Sequence, residues 1–466
     1  MFPLFKHSPN CIRKGGSFMR MLNKLSHMAV FCIIMLVASS PCWGADTIKI
    51  GIIGPMKFEV GQAQWNGAEL AAEQINAAGG MTVGNRRMKV EIIKADSNEF
   101  FSIPDAVNAM ERLILKDKVD FVAGGFRTEA VLAMQDTAME NKIIFVGAGA
   151  AHPELCLRVA KDYKRYKYWF RIAPINSTYL VKNMFHQVLS VATYMKKNLN
   201  IDRLKVAIVA DKAMWADGMV KAAESYLPMM GMEVVGNWRP LSTATDVTAE
   251  LTAIQRTGAH MILTMNTGPV GIPLPKQAGE LKIPAVVMGI NTTAAKEDFW
   301  DTTQGMCNYS MTTESYCRGV EYNELTAPFV ETYYKRYGVT PSYTSATYSF
   351  IKHILPAAIE KAGSLNADKL VSIIEDSVNK TPAGMVAFEK DSEGRHLHEL
   401  KAGPGWATFL AVQWVDGQMQ AVWPHFKWTS PYWQYSVEPP DQPNKYSLKG
   451  LKPYVIPPWV TAAYKK

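Results

Sequence analysis

Two short loops in the first half of the chain combine glycine with groups that can bind an anion. The first, Gly124–Thr128, joins a strand-like run to a helical pattern. A helix that begins there offers free backbone N–H groups and the positive end of its dipole, and a threonine hydroxyl adds a hydrogen bond. The alternative is that Thr128 only caps its own helix. The second loop, Gly147–Ala151, has small residues that let a ligand approach the main chain.

A histidine pair near the C-terminal end has the spacing of a metal site. His396 and His398 are separated by one residue and followed by Glu399, but the stretch is rich in glycine and charge, with no third ligand nearby. We therefore predict a solvent-exposed loop there rather than a metal site. The sequence contains no G-x-S-x-G, Walker or HExxH motif, so hydrolase and nucleoside-triphosphate chemistry lack a motif. It predicts no catalytic residue, metal or cofactor.

Alternating strands and helices position the two loops. An apolar run, Ile48–Pro55, precedes a helical stretch that ends at Gly79-Gly80, and a second apolar run, Val90–Asn98, follows. Strand, helix and strand within about fifty residues form a βαβ unit with parallel strands. Two further strands, Val119–Gly125 and Ile143–Gly147, extend the pattern. The result is a doubly wound α/β sheet, whose ligands bind beyond the carboxyl ends of the strands.

The same alternation repeats in the middle of the chain. Strand patterns occur at Lys205–Ala210, Met232–Val235, Met261–Met265 and Ala285–Gly289, with helical patterns between them. A repeat of architecture without a clear repeat of sequence predicts two α/β lobes.

The helix of the first βαβ unit carries a specific sequence. From Gly67 to Gly80 it reads Gly-Ala-x-Leu-Ala-x-x-x-Ile-Asn-x-x-Gly-Gly. This stretch resembles the opening of type I periplasmic solute-binding proteins, most closely the leucine/isoleucine/valine-binding branch that serves ABC importers. The resemblance extends in matching order from residue 46 to about 430. It implies two doubly wound parallel-sheet lobes, joined by a three-segment hinge that closes over a small ligand.

The resemblance also implies how the chain is divided. The N-terminal lobe is expected to comprise 45–173 and 312–395, and the C-terminal lobe 174–311 and 396–429. Residues 430–466 contain seven prolines among many aromatic residues and lie outside the family pattern. We interpret this tail as a polyproline-like strap on the lobes, with a docking segment for a partner as the alternative.

By resemblance, seven residues are expected to bind the ligand. Thr128 lies where the family places a hydroxyl on the ligand carboxylate, whereas Ala151 lacks the hydroxyl that is usual at its position. Trp215 stands where a tyrosine covers the ligand, and Asn291 stands where amino-acid binders carry an acid for the ligand ammonium. The full set is Thr128, Gly149, Ala151, Trp215, Thr267, Asn291 and Tyr343.

The N-terminal residues 1–44 have the layout of a secretory signal peptide. Basic residues up to Lys24 precede the apolar run Ala29–Ala38, which is too short to span a bilayer. A lipid anchor at Cys42 is the alternative. The leader holds five basic residues and no acid, so the net charge of +8 falls to +3 without it. That balance argues against nucleic-acid binding, and no run in the mature chain is long enough to span a membrane.

Three cysteines remain after the leader. Because export implies an oxidising compartment, Cys307 and Cys317 are a candidate disulfide that leaves Cys156 unpaired. The alternative is that all three are small buried apolar residues.

These observations predict a periplasmic, non-enzymatic substrate-binding component of an ABC importer, with permease and ATPase subunits as partners. Its ligand is expected to be a small amino-acid-like, carboxylate or amide solute. Because Asn291 brings no charge and a buried unpaired ammonium is costly, the sequence favours a ligand without an α-ammonium. Glu59, Asp217 or Glu314 could supply that charge from another direction. A ligand-sensing subunit of a signalling system on the same fold is the alternative function.

Overall fold

The structure of the protein is a computed structural model that describes residues 47–403, 406, 408–423 and 448–465. Its largest sheet is built from β1 (Thr47–Gly54), β2 (Met81–Val83), β3 (Arg86–Asp96), β4 (Phe121–Gly124), β5 (Ile144–Ala148) and β6 (Trp169–Ala173). The strand order is β2-β3-β1-β4-β5-β6, in which only the edge strand β2 runs antiparallel to its neighbour. This is the sheet expected from the alternating pattern.

The helices connect and cover the strands. In chain order those within the described residues are α1 (Glu59–Ala77), α2 (Ile103–Glu111), α3 (Thr128–Glu140), α4 (Glu154–Lys161), α5 (Tyr163–Tyr166), α6 (Ser177–Asn198), α7 (Met214–Met229), α8 (Thr248–Thr257), α9 (Pro273–Glu280), α10 (Phe299–Thr302), α11 (Thr326–Tyr337), α12 (Thr347–Ser349), α13 (Leu355–Ala362), α14 (Ala367–Ile374) and α15 (Pro458–Tyr464). Single 3-10 or π turns occur at Arg112–Lys116, Pro269–Gly271, Thr292–Ala295, Tyr343–Ala346 and Phe350–Ile354.

The predicted βαβ unit is β1, α1 and β3. β1 lies parallel to β3, with Ile50 opposite Ile92 and Gly54 opposite Asp96. The last five residues of β1 are all buried, which is typical of a central parallel strand covered on both faces. After α1 the chain turns at Gly79 and Gly80, whose positive φ angles (95° and 96°) favour glycine.

Two further sheets lie beyond β6. Their strands are β7 (Lys205–Ala210), β8 (Glu233–Trp238), β9 (Met261–Asn266), β10 (Val286–Asn291), β11 (Met311–Glu314), β16 (Leu410–Val415) and β17 (Gln418–Trp423). The first four form a parallel sheet in the order β10-β9-β7-β8, and the last three form an antiparallel sheet in the order β11-β16-β17. We call the six-stranded sheet and its helices the first lobe, and these two sheets and their helices the second lobe. The α/β fold with two parallel-sheet lobes is confirmed.

The chain returns to the first lobe after β11. The Thr344 hydroxyl donates to the Val60 carbonyl at 2.9 Å, and the Thr347 hydroxyl donates to the Gln64 carbonyl at 2.7 Å. These bonds fix the turn 343–346 and α12 against α1. Two small antiparallel pairs follow, β12 (Asn379–Thr381) with β13 (Gly384–Val386), and β14 (Phe388–Lys390) with β15 (His396–Leu400).

β15 differs from the sequence-based expectation. It lies against β6 of the first lobe, and His398 and Glu399 are buried, so the prediction of a solvent-exposed loop at this pair is wrong. The glycine and the exposed charges belong to the preceding turn, whereas the buried side chains of His398 and Glu399 have partners. We therefore propose that the last crossing to the second lobe follows Leu400, rather than lying between residues 395 and 396.

The described part of the C-terminal tail lies on the second lobe. Residues 451–457 are without regular structure and lead into α15. The Trp459 indole N–H donates to the Ile283 carbonyl at 3.1 Å, and the Asn200 N–H donates to the Tyr464 carbonyl at 2.7 Å. This part of the tail therefore lies along the second lobe, but Pro458–Tyr464 is an α-helix rather than the expected polyproline-like segment. The predicted leader, 1–44, and the tail residues 430–447 lie outside the described residues.

The three cysteines Cys156, Cys307 and Cys317 are buried free thiols. Cys307 packs in a cluster with Phe299 and Trp414, whereas Cys317 belongs to a different cluster. The candidate disulfide is therefore not formed, and the buried-apolar alternative is confirmed. Within the described residues, no helix has the length and apolar character needed to cross a bilayer.

Candidate functional site

A cavity lies between the carboxyl ends of the strands of the two lobes. The empty space within it is about 660 Å³, a figure that includes the open mouth. Most of the lining residues come from the carboxyl ends of strands and the loops that follow them, and the others come from helix α6, from β11, from the returning segment and from the residue before β16. They are Phe100, Phe126, Arg127, Thr128, Gly149, Ala151, Pro174, Leu180, Ala213, Trp215, Ser242, Thr267, Ile290, Thr292, Thr313, Tyr343 and Phe409.

The cavity brings together six of the seven residues singled out in the sequence. The six are Thr128, Gly149, Ala151, Trp215, Thr267 and Tyr343. They come from both lobes and meet at one cavity, as expected for residues beyond the carboxyl ends of parallel strands. Asn291 is not among the lining residues, and its neighbours Ile290 and Thr292 take its place.

Thr128 is the first residue of α3 and is 2% exposed. Its hydroxyl has no hydrogen-bond partner within the described part of the chain. The N-cap residue is Arg127, whose side chain does not cap the helix. Because the Thr128 hydroxyl has no partner either, Thr128 does not cap the helix. A buried hydroxyl without a partner is costly unless something else binds it. Thr128 therefore offers an unused hydrogen-bonding group at the cavity wall.

A buried carboxyl group that the sequence reasoning missed lies beside this helix N-terminus. Glu99 Oε2 accepts hydrogen bonds from the backbone N–H groups of Phe126 at 3.0 Å and Arg127 at 2.6 Å. Its Oε1 accepts from the Ser97 hydroxyl at 2.7 Å. Burial raises the pKa of Glu99 to about 7, against the lowering effect of these bonds. Two of the N–H groups expected to hold a ligand anion are thus already used by the protein itself.

Glu99 lies three residues after the end of β3, at the same sheet edge as the two glycine loops. That position beyond a strand end was the available sequence signal. An acid in a polar loop is usually solvated, however, so its burial could not be read from the pattern.

The two loops of the first lobe are held together by buried side chains. The Gln64 amide donates to the carbonyls of Gly125 at 3.0 Å and Ala148 at 3.3 Å. Gly149 has no space for a side chain, because a Cβ there would lie 2.3 Å from the Gly125 carbonyl oxygen. The loop residues therefore form a close-packed wall on which Ala151 contributes a methyl group and no hydroxyl.

Arg171 holds the far side of the second loop. Its guanidinium donates to the carbonyls of Ala150 and His152 and forms an ion pair with Glu399 at 2.8 Å. Arg171 and Glu399 are 0% and 3% exposed, so this pair is fully enclosed. A buried pair of this kind fixes geometry, and removing one partner would leave an uncompensated charge.

In the second lobe, Trp215 and Thr267 form one side of the cavity. The Trp215 indole N–H donates to Thr267 Oγ1 at 3.2 Å, and the Thr267 hydroxyl donates to Asp211 Oδ2 at 2.9 Å. Burial raises the pKa of Asp211 to about 6. The chain of bonds holds the indole ring in place, and the Thr267 hydroxyl hydrogen is already used within it.

Asn291 has a structural role instead of the expected ligand contact. Its amide donates to the Gly271 carbonyl at 2.7 Å, and its Oδ1 accepts from the hydroxyl and N–H of Thr293. Asn291 thereby caps the 3-10 turn Thr292–Ala295. Asparagine commonly caps a turn in this way, and the hydrogen bonds to Gly271 and Thr293 leave the Asn291 side chain unavailable to a ligand.

The remaining wall is aromatic. The Phe100 ring centroid lies 5.6 Å from that of Phe126, and the Tyr343 centroid lies 6.0 Å from that of Phe409. The three phenylalanines were not predicted, because single aromatic residues in loops carry no periodic signal. Among the described residues that line the cavity, Arg127 alone carries a charge, and it pairs with Glu129 at 3.3 Å.

The three acids considered as partners for a ligand ammonium lie outside this lining. Glu59 pairs with Lys296 at 3.3 Å, and Asp217 pairs with Arg239 at 2.7 Å. Glu314 is buried with its Oε1 unpartnered within the described chain, and burial raises its pKa to about 8. None of the three is both ionised and free at neutral pH.

Comparisons with known proteins agree with this architecture. The chain is 23% identical over 422 residues to Leu/Ile/Val-binding protein homolog 7 of Brucella abortus, covering 85% of this chain and 96% of that protein. It is 27% identical over 205 residues to the leucine-specific-binding protein of Salmonella typhimurium, covering 43% and 49% of the two chains.

Solved structures share the fold. A solute-binding protein of an ABC transporter from R. palustris, in complex with benzoate, has a TM-score of 0.66 and 15% identity over 80% of this chain and 95% of that one. The transporter substrate-binding protein LivJ of Streptococcus pneumoniae, in complex with isoleucine, has a TM-score of 0.64 and 19% identity over 81% and 100%. The periplasmic binding protein family model matches residues 47–401. The chain therefore belongs to this family, as a type I periplasmic binding protein of the Leu/Ile/Val-binding kind.

Proposed function

We propose that this protein is the periplasmic substrate-binding component of an ABC importer for a small carboxylic acid that lacks an α-ammonium, with an aromatic acid as the preferred class. It binds without turnover and delivers the closed, loaded form to permease and ATPase subunits. The site proposed to hold the ligand comprises Thr128, Gly149, Ala151, Trp215, Thr267 and Tyr343.

The buried, unpartnered Thr128 hydroxyl at the wall of a largely apolar cavity is the observation that carries this proposal. A carboxylate accepts a hydrogen bond from a hydroxyl and is favoured near a helix N-terminus. Arg127 lies beside it, although its guanidinium is paired with Glu129. The aromatic side chains of Phe100, Phe126 and Trp215 suit a flat apolar body.

The absence of an ionised acid among the described lining residues argues against an ammonium. Burying an ammonium without a paired acid costs several kcal/mol, which neutral hydrogen bonds rarely recover. Glu59 and Asp217 are already paired with cations of the chain, and burial favours the neutral form of Glu314.

The structural relatives were solved with ligands of two chemical classes, aromatic acids and a branched-chain amino acid. The R. palustris proteins were solved with benzoate and with 4-hydroxybenzoate, and the S. pneumoniae protein with isoleucine. Benzoate has a carboxylate and no ammonium, as the cavity of this protein favours. The lining chemistry therefore supports an aromatic acid over a branched-chain amino acid.

Closure is proposed to be a hinge motion of the two lobes about the crossing segments. A ligand that contacts Thr128 on one side and Trp215 on the other is fully enclosed only when both lobes meet around it. The ligand then stabilises the closed state by the difference between its binding free energies for the closed and the open forms.

The alternative is a ligand-sensing subunit of a signalling system on the same fold. Finding neighbouring genes for a permease and an ATPase would support the importer, whereas finding a neighbouring gene for a receptor kinase would support the sensor. Ligand-dependent stimulation of the ATPase in reconstituted membranes is expected for the importer alone.

Calorimetry with matched ligand pairs tests the ligand class. We expect benzoate and 4-methylpentanoate, the des-amino analogue of leucine, to bind, and leucine and phenylalanine to give no heat. Thr128→Val should weaken binding of the acids. Tight leucine binding with a silent analogue would overturn the proposed ligand class while leaving the importer role intact.

A further inference from the structure

β15 and the C-terminal end of α14 form a cluster of metal-ligating groups away from the cavity. His396 and His398 lie two residues apart on β15, and Glu375 is the C-cap residue of α14. One ligand atom from each of the three lies within 4.8 Å of the other two. The third ligand that was missing from the sequence neighbourhood is thus supplied by another element.

The distances are those of a metal site. His398 Nε2 lies 3.0 Å from Glu375 Oε2, and His396 Nε2 lies 3.7 Å from Glu375 Oε1. Ligand atoms about 2.0–2.1 Å from a tetrahedral zinc ion lie roughly 3.3 Å from one another. The two observed separations lie on either side of that value and involve different oxygens of Glu375, so side-chain rotations would bring the three ligands around one ion.

When the His398 ring is neutral, its hydrogen bonds place two acceptors face to face. Its Nδ1 lies 2.7 Å from the Trp169 carbonyl oxygen, which can only accept, so Nδ1 carries the hydrogen. In the neutral ring Nε2 is then an acceptor, and it faces a carboxylate oxygen that is also an acceptor. A cation between the two atoms satisfies both.

The neighbours of the cluster fix two of its ligands, His398 and Glu375, in orientation. The His398 ring stacks on Phe170, with centroids 4.0 Å apart and planes 5° from parallel. The Tyr163 hydroxyl donates to Glu375 Oε2 at 2.8 Å. Metal-bound histidines and carboxylates characteristically have such supporting contacts.

We propose that Glu375, His396 and His398 bind one divalent first-row transition-metal ion, of which Zn²⁺ is the probe that fits a set of two imidazoles and one carboxylate. The His396 side chain is 20% exposed, whereas those of Glu375 and His398 are 8% and 0% exposed. The ion therefore enters from the His396 side, where water completes the coordination. Bound there, it joins α14 to β15 within the first lobe.

Calorimetry on untagged, chelator-treated protein tests the site with Zn²⁺ alone. The wild type is expected to bind one ion, and His396→Ala and Glu375→Gln are expected to bind at least tenfold more weakly. Glu393→Gln, a nearby exposed acid outside the cluster, is the matched control and should bind as the wild type does. Circular dichroism checks that each variant is folded.

Substituting Co²⁺ gives a second readout, because its visible absorption reports the ligands and their geometry. We expect the spectrum of a four-coordinate nitrogen and oxygen site, lost in His396→Ala. An absence of Zn²⁺ binding by the wild type, or equal binding by His396→Ala, Glu375→Gln and the wild type, would overturn the proposal. The contact between His398 and Glu375 would then be an imidazolium–carboxylate pair.

Discussion

Glu129 Oε1 accepts a hydrogen bond from the backbone N–H of Met214 at 3.2 Å. Glu129 lies in the first turn of α3 in the first lobe, and Met214 is the first residue of α7 in the second. The N–H groups of a first helical turn have no partner within their own helix, and a carboxylate is favoured beside them. The contact therefore joins the two lobes at the edge of the cavity.

We predict that Glu129→Ala weakens ligand binding, because the closed form loses this contact. The expected cost is about 1.5–3 kcal/mol, as for a hydrogen bond to a charged group. Small-angle scattering with saturating ligand should show a smaller compaction than the wild type shows. Glu140→Ala is the control, because Glu140 lies on the same helix and pairs with Arg165 within the first lobe. Equal affinities for the two variants would contradict the prediction.

Thr128→Val tests the unpartnered hydroxyl. Affinity for a carboxylate ligand should fall by about 1–3 kcal/mol, because one hydrogen bond to the ligand is removed. The melting temperature of the ligand-free protein should stay the same or rise, since the hydroxyl has no partner to lose within the described chain. Thr128→Ser, which keeps the hydroxyl, should retain most of the affinity. A loss of stability equal to the loss of affinity would give Thr128 a structural role instead.

Trp215→Ala should weaken binding by about 1–3 kcal/mol if the indole ring stacks on the ligand. Ligand should also change the tryptophan fluorescence of the wild type, and Trp215→Phe should lose most of that change. Trp215→Phe keeps an aromatic face but removes the N–H that holds Thr267. An unchanged affinity in Trp215→Ala would place this residue in the scaffold only.

The sequence predicted the fold well because the fold depends on periodic signals. Buried strands such as β1 are short apolar runs, and α1 ends at a glycine pair, so the βαβ unit follows from local rules. Six of the seven candidate site residues line the cavity because parallel strands bring their carboxyl ends to one edge. For these six residues, a position at a strand end was enough to predict that they line the cavity.

Asn291, Glu99 and Glu375 show where that reasoning fails. Asn291 is at a strand end, but its amide is used by the next turn. Glu99 and Glu375 are acids whose partners lie on other elements, at Arg127 and at His398. Burial and pairing of polar side chains depend on tertiary packing, which leaves no periodic pattern in one sequence.

Burial of Glu314 predicts a dependence of stability on pH. The folded protein retains a proton on Glu314 up to a pKa of about 8, whereas the unfolded chain releases it near the ordinary value of 4.5. The free energy of unfolding should therefore fall as pH rises between these values, by up to about 1.4 kcal/mol per pH unit for this proton.

Glu314→Gln mimics the protonated acid and removes this contribution. Urea unfolding of the two proteins from about pH 5.5 to about pH 8.5 should give a shallower slope for Glu314→Gln. Glu99 and Asp211, with pKa values raised to about 7 and about 6, should keep part of the dependence in both proteins. Parallel curves would contradict the assignment to Glu314.

The enclosed pair of Arg171 and Glu399 affects how mutational data on this protein are to be interpreted. Glu399 lies outside the cavity lining, yet it neutralises the side chain that grips the carbonyls on both sides of Ala151. Loss of Glu399 would leave the buried charge of Arg171 without a partner and would loosen the loop that forms this wall of the cavity. A mutational scan scored by uptake alone would therefore count Glu399 among the specificity-determining positions. Only a paired measurement of abundance would separate the residues that recognise the solute from those that hold the wall in place.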